Sequence, residues 1–173
     1  MKISMHTMAV DSFTPMLESL SALIDKGAAH ADKHDLDLAN ARLAPDMYTL
    51  AQQVQLSCYH AADAVARLTG KPATAPPPAP TTLAGMKELI TQTLEALGRS
   101  SPSEFDGAEE RDCSMQTPRG SVLGMNGLQL LRAWSLPHFY FHVVTAYDIL
   151  RHNGVTIGKQ DYLSQVGRYM RPA

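Results

Sequence analysis

Two of the seven histidines in this 173-residue chain, His138 and His142, stand four apart. On a helix that spacing sets one imidazole a turn above the other on the same side, an arrangement that can hold a divalent ion or orient a small ligand. The pair lacks the intervening glutamate of the zincin motif, and with seven histidines such a spacing often arises by chance. Asp46, Tyr48 and Gln53, near the start of a second helix, and Tyr140, on the same helix as the pair, are the polar groups expected beside it. Together they would form a polar cluster in an apolar wall, the usual make-up of a small-molecule pocket. The alternative is structural: a buried His142 bonded to one polar partner, Asp46 capping its helix, and tyrosines that only pack.

Other chemistry is thinly represented. There is no Gly-x-Ser-x-Gly element, and Cys58 falls on an apolar stripe with no base in sequence view, so no nucleophile is assigned. Cys58 and Cys113 are read as reduced thiols. Gly158 and Lys159 lack the spacing of a phosphate loop. Asn153 and Gly154 suit a left-handed helix stop, with Arg151 and Asp161 placed to interact with helix dipoles, a structural role. A net charge of −2 provides no basic field for nucleic acid. No window has the length of a signal peptide's apolar core or a membrane span, so a soluble, cytoplasmic protein is expected.

The elements that must position these residues are helical, within a single domain spanning 1–173. Val10, Phe13, Met16, Leu17, Leu20, Leu23 and Ile24 mark helix one, from about Ser4 to Ala31, with Pro15 near its start. Leu38 to Leu43 can add one further turn. Met47, Leu50, Val54, Cys58, Ala61, Val65 and Leu68 keep a bundle seam through helix two, predicted from Pro45 or Asp46 to Leu68. Five prolines between Lys71 and Thr82 make an extended connector. Helix three follows from Thr82 to Leu97. Arg99 to Ser135, divided by glycines, reads as strands, a hairpin or ordered loop anchored by Trp134. Helix four is predicted to open at Pro137, whose missing N–H costs nothing at a first helical position, and to close at Gly154. Lys159 to Met170 supplies a short fifth helix. The fold class is therefore all-α, an antiparallel up-down four-helix bundle with an irregular insertion between helices three and four.

The segments ARLAPDMYTLAQQVQ (41–55), ARLTG (66–70) and LPHFYFHVVTAYDILRHNGVTIGKQDYL (136–163) resemble the DUF1993 family, which is similar to the DinB/YfiT-like superfamily of four-helix bundles. That resemblance implies homodimers paired through bundle helices, a divalent ion held by three histidines in the metal-binding members, and in some members thiol-dependent transferase activity. Those members take their third histidine from early in helix two, where this chain has Gln52, Gln53 and Gln55. His60 is placed about 21 Å along helix two and His142 about 7 Å along helix four, on helices expected to run the same way. His60 also falls about 120° off the seam. On this reading His60 does not reach His142 and no intact triad or cofactor is expected; if zinc, nickel or manganese binds, His138 and His142 are its ligands. The leading expectation is a small-ligand pocket near the N-terminal ends of helices two and four, lined by His142, His138, Asp46, Gln53, Tyr48 and Tyr140. A metal-dependent transferase and a purely oligomerising protein are the alternatives.

Overall fold

The structure, a computed structural model, describes residues 3–73, 75–116 and 120–171. Helix α1 spans Met5–His34. Ser4 opens it by accepting from the Thr7 amide, and Pro15 is carried within it. The helix passes the expected stop at Ala31 and ends where Asp35 takes a left-handed conformation, φ 53°. Helix α2, Leu50–Leu68, begins later than the seam suggests, because Thr49 and Gln52 form a reciprocal capping box. Residues 36–49 form turns instead of a further helical turn, so Asp46 lies outside the first turn of α2. Helix α3 is Leu83–Gly98, capped by Thr82.

The insertion contains a hairpin, β1 Met115–Gln116 and β2 Val122–Leu123, antiparallel with Met115 opposite Leu123. Its second half differs from expectation. The chain turns helical at α4, Gly127–Gln129, passes through a π-helical turn, Leu130–Ser135, and continues without a break into α5, Leu136–His152. Pro137 therefore sits inside a longer rod. The wider turn before it, where the Leu136 amide reaches back to the Leu131 carbonyl, relieves the clash a proline ring has with the preceding turn. A short α6, Lys159–Tyr162, and a 3-10 turn, Ser164–Tyr169, follow.

Inter-helix contacts fix the direction of each helix. Phe13 meets Phe139 edge-on at 4.9 Å and His30 meets the Asn153 carbonyl at 3.1 Å, so α1 and α5 run the same way. Gln53 bonds to His142, while a Cβ on Gly127 would strike Leu68, so α2 runs against α5. Lys87 pairs with Asp25, and Leu94 and Gly98 border the same cleft as Val10 and Thr14, so α3 also opposes α1. The four-helix bundle thus has two parallel neighbours, α2 and α3, joined by the proline-rich connector. That connector travels back along α2: Gln55 donates to the Pro77 carbonyl. At about 3.1 Å per residue an extended connector has the reach to do so. The expectation that α2 and α5 share a direction fails here, for that reason.

The core is the set of apolar stripes. Phe13, Leu17, Leu20, Ile24, Leu50, Leu68, Ile90 and Phe139 are fully buried, each worth about 1.5–3 kcal/mol relative to exposure. Cys58 and Cys113 are free and buried. Burial pushes the Cys58 thiol up to about 12, which removes it as a nucleophile.

Candidate functional site

Where α2 crosses the π-turn and the start of α5, three imidazoles meet. The His60 ring lies 4.8 Å from that of His138 and 5.5 Å from that of His142, centre to centre, at 29° and 10° between planes. The expectation that His60 stays apart from His142 is overturned. Two inputs were wrong: the rod carrying His142 begins at Gly127, about three turns before Pro137, and α2 runs antiparallel to it. A clue to His60 was present in the sequence: Gln53, Ser57 and His60 recur at four and three beside the apolar seam, a polar stripe on one helix face.

Each ring is held differently. His142 is buried, and its Nδ1 lies 2.7 Å from Gln53 Oε1. Gln53, 1% exposed, is itself fixed, its Nε2 donating to the Tyr48 carbonyl at 3.3 Å. That assigns the amide oxygen to the histidine side, so His142 donates through Nδ1–H and Nε2 keeps a lone pair. His138 repeats the pattern: its Nδ1 is 2.7 Å from the Trp134 carbonyl, one turn back, and a carbonyl can only accept. His138 Nε2 is therefore also a free acceptor. His60 has no hydrogen-bond partner among the described residues; it stands between the other two rings and Tyr59, 5.1 Å away.

The electrostatics favour neutral rings. Burial, then the neighbouring His138 and His142, lower the His60 pKa from 6.5 to about 3. Burial and His138 lower that of His142 to about 4. At neutral pH both are uncharged, as ligation or hydrogen-bond acceptance requires.

The rings open onto a cavity of about 790 Å³ lined by Tyr48, Leu56, Trp134, Pro137 and Phe141 as well as the histidines. Trp134 packs 4.2 Å from His138, and Phe141 meets His142 edge-on at 5.4 Å. Of the residues expected here, His138, His142, Gln53 and Tyr48 are brought together, Tyr48 half-exposed at the mouth. Asp46 is exposed and is not among the lining residues. Tyr140 points elsewhere, edge-on to Phe139, with its hydroxyl pKa raised by burial and near Ser12 of α1. Two positions from both histidines, it is about 200° round the helix from each. The cluster accordingly lies along α2 from Gln53 to His60 and in the first turns of α5, on helices that run in opposite directions.

A family model described as a domain of unknown function, DUF1993, matches residues 5–163. The chain belongs to the DUF1993 family. A solved structure of a DinB family member protein from Shewanella denitrificans is similar to this DUF1993 chain, with 38% identity over 91% of this chain and 90% of that one, at a TM-score of 0.82. No curated protein matches. The DUF1993 chain is thus a DinB-like helical protein. No helix among its described residues is long and apolar enough to cross a membrane.

Proposed function

We propose that the cavity beside His60, His138 and His142 is the functional site, that the three imidazoles hold a divalent ion, and that a small ligand binds against it. The paired Nδ1 bonds carry this reading: two histidines fixed through Nδ1 to a carbonyl and an amide oxygen, each with Nε2 left open, reproduce the outer-shell arrangement of metal-ligating histidines. Spacing supports it as well. Two imidazoles on a tetrahedral ion at about 2.0–2.1 Å have ring centres about 5 Å apart, and the observed 4.8 and 5.5 Å bracket that value. Among the described residues no group of three or more His, Cys, Asp or Glu side chains is placed to hold a metal ion as it stands. His60, unbonded and nearly parallel to the other rings, is the one that must turn.

Gln53 and the Trp134 carbonyl hold the donors in one tautomer, and Leu56, Trp134, Pro137 and Phe141 offer an apolar wall to a ligand body. A bound ion supplies a Lewis acid able to polarise a ligand oxygen or to lower the pKa of a coordinated water or thiol. With the resemblance to thiol-dependent members of the superfamily, this supports group transfer involving a small thiol as the reaction class. The second reading, a metal-free pocket for an apolar ligand, is favoured by the aromatic wall. For self-association, support comes from Val144 of α5, an apolar side chain 40% exposed; Val144→Glu is expected to shift a sedimenting dimer to monomer.

The test is calorimetric titration of zinc into untagged, metal-free protein. About one ion per chain that disappears in His142→Ala is expected, and apolar ligands that bind with no zinc uptake would transfer support to the second reading.

A further inference from the structure

A second pair of histidines lies at one end of the bundle, at the C-terminus of α1. His30 and His34 occupy the last turn of α1, four apart, with ring centres 4.4 Å apart and planes tilted by 41°. His30 is held from two sides. Its Nε2 lies 3.1 Å from the Asn153 carbonyl, so that nitrogen is the donor and Nδ1 carries the lone pair. Gly154, in a left-handed turn with φ 87°, adjoins the ring, and an added Cβ there would lie 3.5 Å from Nε2. His34 is exposed. Asp32, Asp35 and Asp37, against the single cation Lys33, give the surrounding segment a negative local field.

We propose that His30 and His34 form a second divalent-ion site, separate from the bundle cavity, for ions that favour imidazole nitrogen, nickel or copper(II). Ring centres 4.4 Å apart lie within the span that one ion bridges between two imidazoles. Pre-orientation of His30 by the Asn153 carbonyl lowers the ordering cost that usually makes a two-histidine surface chelate weak. A bound ion bridges one turn of α1 at its C-terminus while His30 keeps its bond to the α5 stop, so occupancy ties these two ends together.

The experiment is a nickel titration of the untagged full-length chain, following calorimetry and the ring signals of the histidines by NMR. His34→Ala is expected to remove one nickel ion per chain or weaken its binding at least about tenfold, with His30 and His34 resonances perturbed by nickel in the wild type. The loss should be the same in a His142→Ala background, or in wild-type protein preloaded with zinc if that variant folds poorly. Nickel binding unchanged by His34→Ala would overturn the proposal. If the cavity reading fails instead, wild type binds one nickel ion and His34→Ala none, so the two failures are distinguishable.

Discussion

The two ends of α5 carry similar numbers of polar side chains and use them in opposite ways. At the far end Asp161, Arg151 and Asn153 are all bonded within the chain. Asp161 accepts from the Gly158 amide at 2.7 Å and pairs with Lys26 at 2.6 Å, which holds its carboxyl below the usual carboxylate range, Arg151 donates to the Ile157 carbonyl, and Asn153 donates to the Ile149 carbonyl. At the near end His138 and His142 each make one bond through Nδ1 and leave Nε2 open toward a cavity. Saturated polar groups stabilise a turn; fixed groups with an unspent acceptor are positioned for something outside the chain.

The contrast depends on the rod that carries the near end, and breaking that rod has the largest expected effect. A Cβ at Gly127 would fall on the Ala108 carbonyl and crowd Leu68. Gly127→Ala should destabilise the chain by about 3 kcal/mol, because backbone cannot yield as a flexible side chain does; chemical denaturation measures it. Next comes the bond that orients His142. Gln53→Leu leaves a buried imidazole N–H without its acceptor and should cost about 1–3 kcal/mol while weakening zinc binding about 10- to 100-fold. A variant with unchanged zinc affinity would place Gln53 in packing alone.

Acid sharpens the contrast further. His60 and His142 protonate in the folded, metal-free chain near 3 and 4, against 6.5 when unfolded. The unfolded chain therefore binds more protons between those values. The stability contributed by the pair is complete above about pH 6.5 and is lost as pH falls toward 4 and below. In the presence of chelator, the melting temperature of wild type should fall more steeply over that window than that of a His60→Gln, His142→Gln double variant. The smallest effect belongs to the saturated end: Asp161→Asn removes a partly exposed ion pair and weakens one cap, for about 1 kcal/mol or less, with zinc binding unaltered.

The four-helix bundle was legible because its apolar stripes are long and its stop at Gly154, in a left-handed turn, carries its own chemistry. Half of the site was legible too: spacing brought out His138 and His142, and position brought out Gln53. The remainder depended on features that local patterns report poorly. Pro137 reads as a helix start, and only a π-turn held by tertiary packing lets a helix run through it. The direction of α2 relative to α5 is decided by where the connector travels, and prolines specify that it is extended without specifying its path. Without both, the spacing along α2 puts His60 at the wrong depth. Asp46 was misread because Thr49 and Gln52 make the stronger helix start three residues later.

The central claim is that His60 belongs with His138 and His142, and cobalt(II) substitution tests it most directly. Metal-free wild type titrated with cobalt(II) should develop the intense visible absorption of a four- or five-coordinate nitrogen site, saturating at about one ion per chain. The band should be abolished in His60→Ala and retained in His34→Ala. Equal absorption in wild type and His60→Ala would contradict the account and leave His60 as a packing residue of the cavity wall.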